Sequence, residues 1–116
     1  MEAPTTQSKG GMHMTKTINI PKDFSRYPAG RFISDGPFSG EGFRKKFLLP
    51  SLKRGESIRI ELDGARGYGS SFLEEAFGGL VRAGLDKATV LRLIQFSTED
   101  ESLESEIRDY IQQASK

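Results

Sequence analysis

One stretch, residues 58–84, constrains the fold more than any other part of the chain. Apolar residues alternate within 58–62, as in a strand with one buried face. After a glycine-rich loop, apolar residues recur at helical spacing: Phe72, Leu73, Ala76, Phe77, Leu80 and Val81. This stretch therefore predicts a strand, a loop and a helix, and Ser71 followed three residues later by Glu74 is typical of a helix N-cap.

Further segments complete the predicted order of elements. They are a strand at 17–20, a strand at 31–34, a helix that Ser39 caps and that Pro50 and then Gly55 close together with its exit turn, a strand at 90–96, and a helix capped by Thr98 that runs to about Gln113. A helix that starts within 86–89 is an alternative to the beginning of the last strand. The short connection between the first two strands favours antiparallel pairing, whereas strands separated by helices favour parallel pairing. We therefore expect an α/β domain whose four-stranded mixed sheet is covered by about three helices.

Composition bounds the size and the chemistry of the protein. Its 116 residues suffice for one domain, which we place at 15–116 after a flexible leader at 1–14. The 17 basic and 16 acidic side chains nearly cancel, so no strong field attracts nucleic acid or a membrane surface. Cysteine is absent and His13 is the only histidine, which argues against disulfides, metal centres and catalytic triads. No apolar run is long enough to span a bilayer, and we expect a cytoplasmic protein.

Loops that follow the carboxyl ends of parallel strands gather at one rim of a sheet, where ligands usually bind. The predicted loops at this rim are 34–41, 63–71 and 96–100. Ser71 either caps its helix or serves as a contact or phosphoacceptor, because a helix N-terminus tolerates added negative charge. The carboxylates of Asp35, Glu41 and Asp63 either satisfy the N–H groups of turns or do acid–base or cation-binding chemistry.

Two further features admit a structural or a functional interpretation. Five cations lie on the first helix or just after it: Arg44, Lys45, Lys46, Lys53 and Arg54. They form either a solvated face or an anion-binding or docking patch. The pair Gly78-Gly79 inside a helix costs stability, which suggests that another backbone packs closely there. The chain lacks the Gly-x-Ser-x-Gly pattern of hydrolases and the glycine patterns that bind nucleotide phosphates.

A strand and loop followed by Tyr68-Gly69-Ser70-Ser71-Phe72 resemble the STAS domain. In anti-sigma-factor antagonists of that family, an Asp-Ser-Ser-Gly motif opens a helix, and a partner kinase phosphorylates its second serine. By this resemblance the phosphoserine falls on Ser71 and the serine before it on Ser70. Gly69 then stands in place of the aspartate and Phe72 in place of the glycine.

Other motifs resemble those of bacterial STAS-like domains of unknown function. They are Gly30-Arg31, Ser39-Gly40-Glu41 and the run from Ser71 to Gly79. The resemblance covers about residues 15–96. It implies a small non-enzymatic module that associates with histidine-kinase-like ATP-binding partners.

The first functional hypothesis is a regulatory interaction module of bacterial signalling that docks a GHKL-type ATPase or kinase, or an anti-sigma-like factor. Its predicted phosphorylation or contact residues are Ser70 and Ser71, and its predicted docking rim comprises Ser39, Gly40, Glu41, Gly69, Phe72 and Glu74. We expect a monomer or weak homodimer, with no cofactor and no metal. The alternative is a sensor of small ligands or anions with Arg31, Arg44 and Arg66 as candidate contacts. An enzyme ranks last, because no nucleophile with a base is identifiable.

Overall fold

A computed structural model describes residues 15–115 as three strands and four helices, together with two short helical turns. The strands are β1 (Thr15–Asn19), β2 (Ser57–Glu61) and β3 (Ile94–Ser97). They form one sheet in the order β1-β2-β3, and both pairings are parallel. The register aligns Ile18 with Ile60 and Ile60 with Phe96, which places an apolar row across the sheet.

The helices are α1 (residues 40–53), α2 (residues 70–82), α3 (Lys87–Leu93) and α4 (Glu101–Gln113). Helices α1 and α2 each contain a central π-helical turn between two α-helical segments. The segments of α1 are Gly40–Phe43, Arg44–Leu48 and Leu49–Lys53, and those of α2 are Ser70–Leu73, Glu74–Gly78 and Gly79–Arg82. A π-helical turn at Ile20–Phe24 and a 3-10 turn at Ile33–Asp35 complete the described elements.

The core lies on one face of the sheet. Residues of that face such as Ile18 and Ile60 are at most 1% exposed and join the side chains of the helices in the core. The opposite face is polar, and its residues Thr17, Arg59 and Gln95, which the register aligns, are exposed. Parallel sheets usually have both faces covered, and the polar composition of this face allows it to remain in contact with water.

The prediction of a four-stranded mixed sheet is wrong, although the α/β class is confirmed. Residues 31–34 form no strand; residues 31 and 32 lie in a loop, and residues 33 and 34 belong to the 3-10 turn that follows it. The carboxylate of Asp35 accepts hydrogen bonds from the N–H groups of Arg31 (3.2 Å) and Phe32 (2.8 Å). A side chain thereby satisfies donors that a neighbouring strand would otherwise pair. Strand β1 connects to β2 through α1, and a connection through a helix favours the parallel pairing that we observe.

The last strand is shorter than predicted, and the alternative of a helix starting near residue 86 is confirmed. Asp86 is the N-cap of α3, and its carboxylate accepts a hydrogen bond from the N–H of Thr89 at 3.0 Å. Val90 and Leu93 are buried on this helix, and the strand begins only at Ile94. A short apolar run fits a buried strand and a buried helix equally well, which explains the error.

Glycines follow the ends of α1 and α2. Gly55 and Gly84 have φ angles of 78° and 108°, in the left-handed region that favours glycine. The prediction that Pro50 closes the first helix is wrong, because Pro50 lies at the start of the last α-helical segment of α1, where its missing N–H is tolerated, and the helix ends before Gly55.

The predicted leader, residues 1–14, lies outside the described residues. Among residues 15–115, no helix combines the length and the apolar character that crossing a bilayer requires.

Candidate functional site

Helix α2 begins with two exposed serines, Ser70 and Ser71. The prediction that Ser71 caps the helix is wrong, because the helix starts one residue earlier than predicted and Gly69 is its N-cap. Gly69 has extended backbone (φ −69°, ψ 149°) and supplies no side chain for the cap. Within the described residues neither serine hydroxyl has a hydrogen-bond partner, so both are available to another molecule.

Because the N-cap of α2 has no side chain, a substitution that supplies a capping side chain should stabilise the protein. A Cβ added at Gly69 meets nothing within 4 Å, so Gly69→Asp should fit and cap the helix. We expect it to raise the free energy of unfolding by about 0.5 kcal/mol, as a carboxylate also interacts favourably with the helix dipole. Urea denaturation measures the gain, and Gly69→Asn is the matched control that supplies the cap without the charge. Loss of stability in both variants would contradict the observed N-cap.

The start of α1 packs against the start of α2. Ser39 caps α1 as predicted, accepting a hydrogen bond from the N–H of Gly42 at 3.1 Å. A Cβ added at Gly40 would lie 2.3 Å from the carbonyl oxygen of Phe72, so only glycine permits this approach of the two helices. Ser39, Gly40 and Phe72 are buried, and these members of the predicted rim therefore support it from inside. The members of the rim that reach solvent are Glu41, Gly69 and Glu74, and the exposed Ser70 and Ser71 lie between the last two.

The predicted motifs meet at this helix crossing. The N–H of Glu41 donates to the carbonyl of Arg31 at 3.0 Å, which fixes the backbone of Arg31 beside α1. Its guanidinium Nη1 then reaches α2, at 2.6 Å from Oε1 of Glu74 and 3.1 Å from Oε1 of Glu75. Residues that lie more than 40 positions apart in sequence are thus joined by one side chain.

Glu74 also binds Arg82, about two turns further along α2. Arg82 donates from Nη1 to Oε2 at 2.7 Å and from Nη2 to Oε1 at 3.0 Å, which is a bidentate pairing. Hydrogen bonds from Arg82 and then from Arg31 lower the pKa of Glu74 below its usual range. The negative charge of Glu74 is therefore stabilised from two sides.

This pKa shift predicts an acid-dependent contribution to stability. Glu74 binds its proton less readily in the folded state, so its contribution is complete above its ordinary pKa of 4.5 and is lost as the pH falls through the lowered value. The difference in free energy of unfolding between wild type and Glu74→Gln should be constant near neutral pH and shrink below about pH 4.5. Urea denaturation at several pH values measures it, with Glu99→Gln, an exposed carboxylate, as control. A difference that does not change with pH would contradict the prediction.

Arg44 and Glu75 form a buried ion pair, in which each side chain is 10% exposed. Nη1 of Arg44 donates to Oε2 of Glu75 at 2.8 Å and to its backbone carbonyl at 2.6 Å. Among the described residues, Nε of Arg44 is buried without a partner. Burying a charge is costly, so the guanidinium of Arg44, whose ion-pair partner within the described residues is Glu75, depends on that carboxylate to remain in the core.

The glycine pair in α2 leaves room for these charges. A Cβ at Gly79 would lie 2.1 Å from Nη1 of Arg44, and a Cβ at Gly78 would lie 2.6 Å from Oε2 of Glu74. The carbonyl oxygen of Tyr110, on α4, is also only 3.3 Å from the Gly78 position. The predicted close approach of a backbone is confirmed at Gly78, whereas at Gly79 the neighbour is a guanidinium group.

The loops after β2 and β3 lie together, as predicted. The carboxylate of Asp63 accepts hydrogen bonds from the hydroxyl of Thr98 (2.6 Å) and the N–H of Glu99 (3.0 Å). The prediction that Thr98 caps the last helix is wrong. Asp100 is the N-cap of α4, and the Thr98 hydroxyl donates to Asp63 instead. The Ser102 hydroxyl and then the Leu103 N–H lower the pKa of Asp100.

The other predicted carboxylates satisfy turns. Glu41 accepts hydrogen bonds from the N–H of Ile33 (2.8 Å) and from Nζ of Lys45 (2.9 Å), and these contacts, in that order, lower its pKa. Asp35 holds the turn described above. Residues 15–115 contain no group of three or more His, Asp or Glu side chains placed to hold a metal ion.

The candidate anion contacts occupy different environments. Arg31 and Arg44 bind glutamates, as described above. Arg66 takes no part in that network; it is exposed, and its guanidinium lies 5.9 Å from the centre of the Tyr27 ring. Among the remaining cations near α1, Lys45 and Arg54 pair with nearby glutamates, and Lys46 lies over the ring of Phe47.

Sequence reasoning missed Glu75 and its partner Arg82, and it named Arg31 and Arg44 as anion contacts without their glutamate partners, although one signal for Glu75 was available. Glu75 follows Phe72 by three residues and therefore falls on the apolar stripe of α2. A carboxylate on a buried face requires a cation, and the sequence does not say which one.

Comparison with known proteins places this arrangement in a family. A family model described as "STAS-like domain of unknown function (DUF4325)" matches residues 39–104, more than half of the chain. A search of curated proteins and a search of solved structures each gave no match. The matched region contains α1, β2, α2, α3, β3 and the start of α4, with both serines and both glutamates of the site. The chain belongs to the family of STAS-like domains of unknown function.

Proposed function

We propose that this chain is a non-enzymatic regulatory module that binds a histidine-kinase-like ATPase, or an anti-sigma-like factor, in bacterial signalling. The observation that carries the proposal is the pair of exposed serines in the first turn of α2, whose hydroxyls are free within the described residues. The resemblance of this turn to the phosphorylated helix start of STAS domains supports a contact with a partner here.

The electrostatics of the turn also favour this role. A helix N-terminus carries partial positive charge, which suits a phosphoryl group on Ser71. Ser71 and Glu74 are three residues apart and are therefore neighbours on the helix surface. Because Arg82 and Arg31 already pair with Glu74, a phosphoryl group at Ser71 meets a neutralised carboxylate.

The partner contacts Ser70 and Ser71 together with the members of the rim that reach solvent. These members are Glu41, Gly69 and Glu74. Ser39, Gly40 and Phe72 contribute by holding the starts of α1 and α2 together.

Intact mass spectrometry tests the phosphorylation. The chain is incubated with ATP and the histidine-kinase-like ATPase encoded nearest to it. We expect the mass of one phosphoryl group on wild type and on Ser70→Ala, and none on Ser71→Ala. An unmodified wild-type chain would remove phosphorylation from the proposal and leave only docking.

Pull-down with the same ATPase tests docking itself. Ser71→Asp adds a negative charge at the proposed contact, and Ser71→Ala does not, so their affinities should differ at least about tenfold. Equal binding by the two variants would show that the partner does not contact Ser71, and absence of binding by wild type would overturn the proposal.

A further inference from the structure

One loop exposes large apolar side chains. Among the described residues, the large apolar side chains that are 40% or more exposed all belong to residues 27–38, here called the apolar loop. They are Tyr27 (62%), Phe32 (48%), Ile33 (55%) and Phe38 (40%). Single exposed apolar residues are ordinary, whereas several in one loop indicate an interaction surface.

Hydrogen bonds brace the apolar loop in its exposed position. The N–H of Ala29 donates to the carbonyl of Phe38 at 3.0 Å, which closes the loop on itself. The N–H of Ile33 donates to the carboxylate of Glu41 at 2.8 Å, and Arg31 ties the loop to α2. A braced loop loses little conformational entropy when a partner binds, so its apolar side chains are prepared for contact.

Unpaired cations border the apolar loop. In the described part of the chain, Lys22, Arg26 and Arg66 are exposed and none forms an ion pair. The N–H of Arg66 donates to the carbonyl of Arg26 at 2.9 Å, which holds the backbones of the two arginines next to each other. Arg66 also lies over the ring of Tyr27. Lys22 and Arg26 line an open depression of about 490 Å³.

We propose that the apolar loop and these three cations form a docking surface for an acidic polypeptide segment that carries a large apolar side chain. Carboxylates of that segment pair with Lys22, Arg26 and Arg66. The apolar side chain of the segment packs against Tyr27 and the other exposed apolar side chains of the apolar loop. Tyrosine and arginine are among the residue types that most often dominate binding energy at protein interfaces. This surface does not depend on an ATPase partner or on phosphorylation of Ser71.

A polypeptide fits this surface better than a lipid membrane does. The exposed carboxylates of Asp23 and Asp35 stand among the cations and apolar side chains. Their insertion into an anionic membrane would bring like charges together and desolvate them. At a protein interface the same carboxylates remain in the hydrated rim.

Selection from a display library of random 12-residue peptides on the immobilised full chain tests the proposal. We expect the enriched peptides to be net acidic and to contain an aromatic residue or leucine. Their affinities, measured by fluorescence polarisation with the purified chain, should fall at least about tenfold for Arg66→Glu and for Tyr27→Ser. Arg92→Glu is the matched control, because Arg92 is also exposed but lies at the opposite rim, just before β3, and it should bind as wild type does.

Each other outcome would overturn the proposal. Enriched peptides without net negative charge, or with equal affinity for Arg66→Glu, would show that the cations are not used. Failure to enrich any peptide would show that the surface does not recognise short acidic segments. Binding to phosphatidylcholine vesicles with phosphatidylserine that is lost in Tyr27→Ser would reassign the surface to membranes. Self-association of wild type that is lost in Arg66→Glu, measured by sedimentation equilibrium, would reassign it to a second copy of the chain.

Discussion

Replacing Glu75 by leucine should lower the free energy of unfolding by about 3 kcal/mol, because it leaves the buried guanidinium of Arg44 without a counter-charge. Arg44 has no other carboxylate within ion-pair distance in residues 15–115. Removal of the other charge of the pair, by Arg44→Met, should lower the free energy of unfolding by less, because Glu75 keeps its ion pairs with Arg31 at 3.1 Å and Arg82 at 3.2 Å. Urea or thermal denaturation of the purified variants measures both.

The double variant Arg44→Met/Glu75→Leu is the matched control. It removes both buried charges and replaces them with apolar groups of similar size, so it should recover part of the stability lost in Glu75→Leu. If the double variant is less stable than Glu75→Leu, or if Glu75→Leu alone is as stable as wild type, the pair does not stabilise the fold in the way described.

Gly40→Ala should be as damaging as the loss of Glu75, at about 3 kcal/mol, because its new methyl group has no space. The methyl carbon would lie 2.3 Å from the carbonyl oxygen of Phe72 and 3.1 Å from the backbone nitrogen of Ala76. Both obstacles are backbone atoms inside α2, so relief requires the two helices to separate. Chemical denaturation measures the loss, and the proposed partner should bind this variant more weakly, because the helix starts that form the rim move apart.

Gly42→Ala is the control for Gly40→Ala. It lies in the same turn of α1, and the nearest neighbours of an added Cβ are side-chain atoms, Oγ of Ser39 at 3.3 Å and Cγ1 of Ile33 at 4.0 Å. We expect its stability to remain within about 1 kcal/mol of wild type, since alanine is the better helix former. Equal losses at both positions would show that general helix packing, and not the contact with Phe72, sets the cost.

Local periodicity predicted the central elements well. Alternation at Ile58 and Ile60 and the helical spacing of Phe72 and Phe77 are confirmed by burial at 0% exposure. These patterns report which residues face the core, and the core faces of β2 and α2 are regular. The sequence of the loop that contains Phe32 and Ile33 resembles that of a strand because apolar residues are frequent in it. In the structure these residues are exposed.

Local sequence patterns could not predict the ion pairs of the site, because the residues that pair are distant in sequence. Arg44 and Glu75 are 31 residues apart, and Arg31 and Glu74 are 43 residues apart. The pattern of Ser71 followed by Glu74 predicts a capping box only when the glutamate is free to turn back to the helix start. Here two arginines bind that glutamate, and the cap falls on a glycine instead.

The number of residues in the π-helical turn of α2 determines on which side of the helix Ser70 and Ser71 lie relative to the residues that follow the turn. A π-helical turn accommodates one residue more than the surrounding α-helix would, and each residue of an α-helix turns the chain by about 100°. Deletion of one residue between Glu74 and Gly78 would therefore rotate Ser70 and Ser71 to another side of the helix relative to Gly79 and Arg82. A relative that keeps both serines but is one residue shorter in this turn should present them to a different partner surface.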